Sequence, residues 1–234
     1  MKMKNKRAEQ IGAKKRHREQ LKSKRRNEPV FERREPVLQE KPTILIVCEG
    51  ENTEPSYFSQ FRLSTATIKS IGEGYNTISL VNRAAGLAKE KDYEQVWCVF
   101  DKDDFDVTNF NNAIVTAEAQ GFGVAYSNQA FEYWIILHFD DHQGGGMHRK
   151  DYDKKLNSLL KPFKLAYDGE RSKIITEEIF EVLDGIDEKT NQERKVLAIQ
   201  RAKRNYKQFE HANPATEESS TTVFRLVETL LRYT

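Results

Sequence analysis

Hydrophobic residues in this chain of 234 residues form short continuous runs, and segments of helical periodicity lie between these runs. The runs Ile44–Val47, Val96–Phe100 and Gly123–Ser127 are typical of buried β-strands. A weaker strand is predicted at Thr77–Leu80. Because the runs are bounded by turn residues and separated by amphipathic segments, the pattern indicates strands that alternate with helices.

Three helices are predicted between these strands. Asn52 or Thr53 can cap the first, and Pro55 suits its first turn. The others span Val81–Lys91 and Asn109–Gln120, and Gly121 can end the last one as a C-cap. This alternation predicts an α/β fold with a mainly parallel sheet flanked by helices.

The carboxyl-terminal part of the chain is predicted to be helical. The run FEYWIILHF is apolar and aromatic throughout and indicates a buried helix, whereas the glycines of HQGGGMH indicate a loop. We therefore expect a basic arm at residues 1–40, an α/β core at 41–139 and a helical region packed on that core at 140–234. Helical periodicity in the last region marks Asp151–Leu160, Ile174–Leu183, Glu193–Glu210 and Thr221–Tyr233.

Positive charge is concentrated in the first forty residues. The chain carries a net charge of +2, yet residues 1–40 hold 14 Lys and Arg against 6 Asp and Glu, so the remainder is acidic. Residues 2–26 have too few apolar side chains to bury a helix face and are predicted to be disordered or marginally helical. Such an arm is either a solubilising tail or a contact for a nucleic-acid backbone. The candidates for that contact are Lys14, Lys15, Arg16, Arg18, Lys24, Arg25 and Arg26.

The two cysteines, Cys48 and Cys98, lie inside apolar runs and are predicted to be buried thiols in a reducing compartment. The amino terminus lacks the apolar core of a secretory signal, and no run of about 18 apolar residues could span a membrane. A soluble, cytoplasmic protein is expected.

Acidic residues follow two of the predicted strands. Glu49 leaves the first strand, and Asp101, Asp103, Asp104 and Asp106 follow a later one in the stretch VFDKDDFD. Ligands of open parallel sheets bind beyond the carboxyl ends of the strands, and neighbouring ends are about 5 Å apart. Clustered carboxylates suit Mg²⁺ or Mn²⁺, and Gly50 would let a phosphate approach the backbone. The structural alternative is that each acid is only a turn former or a helix cap.

Other polar residues are weaker candidates. Asn128 and Glu132 follow the last strand and belong to the same rim, where Glu132 lines the site, caps a helix, or pairs with a basic residue such as Arg149 or Lys173. Arg171 and Lys173 are possible phosphate contacts. Three histidines have spacings that match no compact zinc site and are expected to be core or surface residues: His138, His142 and His148. The predicted helix Glu193–Glu210 carries several basic residues, which fit a solvated face better than a nucleic-acid contact. They are Lys195, Arg201, Lys203, Arg204 and Lys207.

The order of these motifs resembles known families. A strand ending in Glu-Gly before a helix, then a strand ending in Asp-x-Asp, resembles the Toprim domain of topoisomerases, primases and OLD-type nucleases. This resemblance implies that Glu49 is a general acid, base or metal ligand, and that Asp101 and Asp103 bind Mg²⁺ for cleavage or joining of a phosphodiester. The stretches LIVCEGENTEPSYF, VWCVFDKDDFD, SNQAFEYWIILHF and AIQRAKRNY more closely resemble the RloB family of prokaryotic abortive-infection and defence proteins, which often have an ATPase partner.

The leading functional hypothesis is therefore a Mg²⁺- or Mn²⁺-dependent nuclease that cleaves DNA or RNA in antiviral defence, with an ATPase partner. The alternative is a non-catalytic module that binds nucleic acid or protein. Phosphoryl or nucleotidyl transfer to a small nucleotide is a third possibility, although the chain has no Walker lysine motif to favour it.

Overall fold

A computed structural model describes residues 12–20, 22, 42–70, 77–102, 106–143 and 145–234. The chain separates into two compact units, Met1–Glu40 and Lys41–Thr234. In the first unit, residues 12–20 and 22 are helical and form α1. All elements described below belong to the second unit.

Four parallel strands form a sheet with the order β2-β1-β3-β4. β1 and β3 are adjacent, and Cys48 pairs with Val99 near their carboxyl ends. Every residue of β1 is buried because helices cover both faces of the sheet. The predicted α/β fold with a mainly parallel sheet is therefore confirmed. The strands are β1 Ile44–Cys48, β2 Ala66–Ser70, β3 Gln95–Asp101 and β4 Gly123–Ser127.

Two hydrophobic cores lie on opposite faces of the sheet because side chains alternate along each strand. Leu45 and Val47 point into the core formed with α3 (Thr77–Glu90) and α4 (Val107–Ala119). The other face is aromatic. It holds α2 (Thr53–Ser59) together with Ile44, Ile46, Tyr57, Phe58, Phe131, Tyr133 and Trp134.

The predicted strand at Thr77–Leu80 is wrong, because this segment is the first turn of α3. The second strand in the sequence is instead Ala66–Ser70, at the edge of the sheet. The segment is helical because the buried residues of α3 are spaced three and four apart, which is the spacing of a helix and not of a strand. The buried residues of α3 are Thr77, Leu80, Val81, Ala84 and Leu87.

The predicted helices of the carboxyl-terminal region are present with shifted ends. The aromatic run is helical only over five residues and then continues in buried turns. α7 starts at Glu177 because the side chain of Thr176 caps it, accepting the amide of Ile179 at 3.4 Å. The helices are α5 Glu132–Ile136, α6 Tyr152–Leu160, α7 Glu177–Asp184, α8 Arg194–Tyr206 and α9 Val223–Leu231. Short antiparallel strands, β5 Ile186–Asp187 and β6 Gln192–Glu193, join α7 to α8.

The segment before α9 covers the free edge of β4. The amide of Thr222 donates to the carbonyl of Tyr126 at 2.8 Å, and the Thr222 hydroxyl accepts the amide of Tyr126 at 2.9 Å. Ser127 and Thr221 form an antiparallel bridge. This edge of the sheet is thus paired with the same chain instead of being open to another one.

None of the described helices combines the length and the apolarity needed to cross a membrane. Cys48 and Cys98 are buried free thiols, as predicted, and burial raises the pKa of each.

Candidate active site

Glu49 and Asp101 lie side by side where β1 and β3 end. The amide of Glu49 donates to the carbonyl of Val99 at 2.9 Å and so extends the strand pairing by one residue. The Oε2 atom of Glu49 accepts a hydrogen bond from the amide of Asp101 at 3.3 Å. The structure therefore brings together the two acids expected to meet, while their chemical roles stay predictions.

A third carboxyl group, that of Glu54, lies beside them and was missed by the sequence analysis. Glu54 is in the first turn of α2 and is only 4% exposed. Its carboxyl group fills the space beside Gly50, where a Cβ atom would collide with it. This space is the one in which a phosphate was expected. In the sequence, Glu54 has helical spacing to the apolar residues Tyr57, Phe58 and Phe61. An acid in line with these buried side chains was the pattern from which its burial could have been predicted.

Glu132 provides a fourth carboxyl group. The hydroxyl of Tyr167 donates to its Oε1 atom at 2.7 Å and lies 3.0 Å from the hydroxyl of Thr53. The charge of Glu132 raises the pKa of both Glu54 and Asp101, which places it among these acids. We call Glu49, Glu54, Asp101 and Glu132 the acid cluster.

Burial sets the protonation of the first two members of the acid cluster. It raises the pKa of Glu49 to about 7, and the charge of Glu54 acts in the same direction. It also raises the pKa of Glu54 to about 7, with the charge of Glu132 adding to the effect. Hydrogen bonds from the amides of Glu54 and Gly50, and the positive charge of Lys173, lower the Glu54 pKa only in part.

The pKa of Asp101 is shifted in the same direction. Burial raises its pKa well above the ordinary value, and the charges of Glu54, Glu132 and Glu49 raise it further. The amide of Phe131 donates to Asp101 Oδ2 at 3.1 Å and opposes this shift. The cluster therefore repels itself when ionised, and it requires protons or a cation as counter-charge.

The donor atoms of the cluster match a hard divalent cation. Mg²⁺ binds through one or two carboxylates and completes its shell with waters and substrate phosphates, so Glu49 and Asp101 are the residues that could hold it. Within the described residues, no group of three or more His, Cys, Asp or Glu side chains could hold a metal by itself. The predicted ligand Asp103 and the rim residue Asp104 lie outside the described residues.

Asn128, predicted on the rim, has a structural role in the described part of the chain. Its side-chain amide donates to the carbonyl of Pro214 at 2.8 Å, and its backbone amide donates to the carbonyl of Ser220 at 2.8 Å. It thereby fastens the segment before α9 to the end of β4.

The histidines behave as expected for core and surface residues. His138 is fully buried against Trp134, and burial lowers its pKa to about 3. The Nδ1 atom of His142 lies 3.1 Å from the hydroxyl of Tyr133, and His148 is exposed.

Basic residues divide into two groups. On α8, Lys195, Lys203 and Arg204 form ion pairs with Asp184, Glu228 and Asp141, respectively, and Arg201 lies 3.8 Å from Asp141. These contacts favour a structural role for α8. On α1, Lys14, Lys15, Arg16 and Arg18 are exposed, whereas Lys24, Arg25 and Arg26 lie outside the described residues. A nucleic-acid contact of the arm stays a prediction.

Comparison with protein families gives one match. The family model described as RloB-like protein matches residues 44–230, from the first residue of β1 to the last turn of α9. The match covers most of the chain and includes every member of the acid cluster. Searches of curated proteins and of solved structures gave no match.

Proposed function

The chain belongs to the RloB-like family, and on that premise we propose that it is a metal-dependent nuclease that hydrolyses phosphodiester bonds of DNA or RNA in antiviral defence, with an ATPase partner. One observation supports the chemistry above all. The acid cluster lies at the carboxyl ends of two adjacent parallel strands, where open α/β sheets bind their ligands.

Glu49 and Asp101 would hold Mg²⁺ or Mn²⁺. When bound, the metal neutralises the phosphate and polarises the oxygen that leaves. The amide of Asp101 donates to one lone pair of Glu49 Oε2, which leaves the other lone pairs of this carboxyl group for a proton or a metal. A carboxyl group with a pKa of about 7 exchanges protons readily at neutral pH, which suits a general acid or base.

The remaining residues would adjust this centre. Glu54 and Glu132 add negative charge that favours cation binding, and the hydroxyl of Tyr167 holds Glu132 in place. Lys173 acts on Glu54 as a positive charge and could meet a substrate phosphate, as the sequence suggested. Arg171, the other candidate, is exposed and acts on Asp168 instead.

Cleavage assays with matched variants test the proposal. End-labelled single-stranded DNA, duplex DNA and RNA are incubated with the full chain and Mg²⁺ or Mn²⁺, with and without a candidate ATPase partner. Asp101→Asn and Glu49→Gln are expected to lose at least about 100-fold in rate, because each removes a charged group from the centre. Asp106→Asn and Glu51→Gln change neighbouring exposed acids and should keep the wild-type rate. Full activity of the double variant Glu49→Gln, Asp101→Asn would overturn the proposal.

Deletion of residues 1–26 separates the nuclease from the binding module. A nuclease should keep metal-dependent turnover on short substrates without the arm. A binding module should show no turnover at all and should lose most of its salt-sensitive affinity, since that affinity comes from counterion release at Lys and Arg.

A further inference from the structure

Residues 164–176, between α6 and α7, form a loop that brings a tyrosine to the acid cluster. Tyr167 is 3% exposed, its hydroxyl donates to Glu132 Oε1 at 2.7 Å, and the same hydroxyl lies 3.0 Å from that of Thr53. A phenol has one proton, and here it goes to Glu132, so Thr53 is the donor in the second hydrogen bond. Hydrogen bonds therefore run from Thr53 through Tyr167 to Glu132.

Both ends of this hydrogen-bonded chain are next to acids of the site. Thr53 directly precedes Glu54 in the first turn of α2. Glu132 directly follows Phe131, whose amide donates to Asp101 Oδ2 at 3.1 Å. The chain thus links the first turn of α2 to the first turn of α5, and a backbone contact places the start of α5 against Asp101.

The loop holds the tyrosine in a fixed position. On α6, the side-chain amide of Asn157 donates to the carbonyl of Tyr167 at 2.9 Å, and the amide of Tyr167 donates to Asn157 Oδ1 at 2.8 Å. Further along the loop, the amide of Ile175 donates to Ser56 Oγ on α2 at 2.9 Å. Burial raises the pKa of Tyr167, so its hydroxyl keeps its proton. The protein therefore supplies a preorganised donor at this point of the site.

Glu132 needs such a restraint to stay beside the other acids. Its side chain is half-buried, so a short movement would bring the carboxylate into water. An ionised carboxylate gains free energy from hydration, and the negative charges of Glu54 and Asp101 repel it. The charge-assisted hydrogen bond from Tyr167 opposes that movement.

We propose that Tyr167 is a positioning residue of the site: its hydroxyl keeps the negative charge of Glu132 beside Asp101, where this charge favours a bound divalent cation. In this role Tyr167 touches neither the metal nor the substrate and acts only through Glu132. The catalytic consequence rests on the proposed nuclease function, whereas the effect on metal binding is measured without any turnover.

Removal of one hydroxyl tests the inference. Tyr167→Phe should lower kcat for a short oligonucleotide about tenfold or more and change KM less than about twofold, because no substrate contact is lost. The Kd for Mn²⁺, measured from the electron paramagnetic resonance signal of the free ion, should rise about threefold or more, because Glu132 is no longer held near the ion. Tyr206→Phe is the matched control. The Tyr206 hydroxyl accepts from Arg225 at 2.9 Å, away from the acid cluster, and its loss should leave both quantities unchanged.

A double variant separates positioning from a general loosening of the fold. In a Glu132→Gln background, Tyr167→Phe should change kcat and the Mn²⁺ Kd less than about twofold, because the charge that Tyr167 restrains is gone. A purely structural role would give the same factor in both backgrounds. If Tyr167→Phe does not fold, Thr53→Val removes the other partner of the hydroxyl while keeping its own shape. It should lower kcat and weaken Mn²⁺ about threefold, and again only when Glu132 is present.

The outcomes distinguish this inference from the proposed function. If the wild type cleaves but the variants behave as the wild type, or lose the same factor without Glu132, only the role of Tyr167 is wrong. If the wild type does not cleave but binds Mn²⁺ with the expected dependence on Tyr167 and Glu132, the positioning role stands and the nuclease proposal is wrong. Absence of both cleavage and Mn²⁺ binding overturns both.

Discussion

Glu54 shows what the surroundings of one residue do to its charge. It is the most buried member of the acid cluster, and its pKa rises from the ordinary 4.5 to about 7. The folded protein therefore keeps a proton that the unfolded chain releases. Because the folded-state pKa is raised, the stabilisation is fully present below about pH 4.5 and is lost as the pH rises to about 7.

We predict that Glu54→Gln removes part of this pH dependence. The amide keeps the shape of the protonated acid and never ionises. In EDTA, the free energy of unfolding of the wild type should fall by roughly 1–3 kcal/mol more than that of the variant between pH 4.5 and pH 7.5. Denaturant unfolding at a series of pH values measures this. Glu51→Gln, at an exposed neighbour, should follow the wild-type curve. Parallel curves for Glu54→Gln and wild type would show that Glu54 is not the group that titrates.

The buried His138 changes the stability with pH in the direction opposite to that of Glu54. Burial lowers its pKa from 6.5 to about 3, so the folded state requires the neutral ring. The stabilisation is present above about pH 6.5 and is lost as the pH falls toward 3. His138→Leu should therefore lose less stability than the wild type between pH 6.5 and pH 4 in the same unfolding measurements. His148→Leu, at an exposed position, is the control. If His138→Leu lost as much unfolding free energy as the wild type between pH 6.5 and pH 4, this assignment would be contradicted.

At the scale of the elements, β1, β3 and β4 could be predicted because central strands of a parallel sheet are continuous apolar runs. The edge strand Ala66–Ser70 could not, since ATIKS is short and mixed, while the apolar residues after it fit either a strand or a helix. Glu49 and Asp101 could be found because each ends or follows a strand. Tyr167 could not, because it comes from a loop 114 residues away from its partner Thr53 and no local pattern encodes that contact.

The pairing of β4 with the segment before α9 yields a prediction at this scale. Thr222→Val keeps the side-chain shape but removes the hydroxyl that accepts the amide of Tyr126. A buried amide would then lack a partner, and we expect a loss of about 1–3 kcal/mol in the free energy of unfolding. Thr229→Val removes a hydroxyl that only bonds a carbonyl one helical turn earlier, and it should cost less than about 0.5 kcal/mol. Equal losses for the two variants would mean that β4 does not depend on this segment.

For the whole molecule, the candidate site joins distant parts of one compact unit. The α/β strands and their helices supply the acid cluster, and the region after α6 supplies Tyr167 and Lys173. The carboxyl groups repel one another when ionised, so protons or a bound cation would relieve this repulsion. A cation bound only by the folded protein stabilises it by mass action.

A divalent cation should therefore raise the unfolding temperature of the full chain. At a concentration about ten times its Kd, Mg²⁺ or Mn²⁺ should increase Tm by roughly 2–6 °C, and Asp101→Asn should lose most of this increase. Screening by salt would also weaken the repulsion, so KCl of equal ionic strength is the necessary control. Asp106→Asn should respond to the metal as the wild type does. If KCl gives the same shift, or if Asp101→Asn keeps it, the acids hold no specific metal and the proposed chemistry loses its basis.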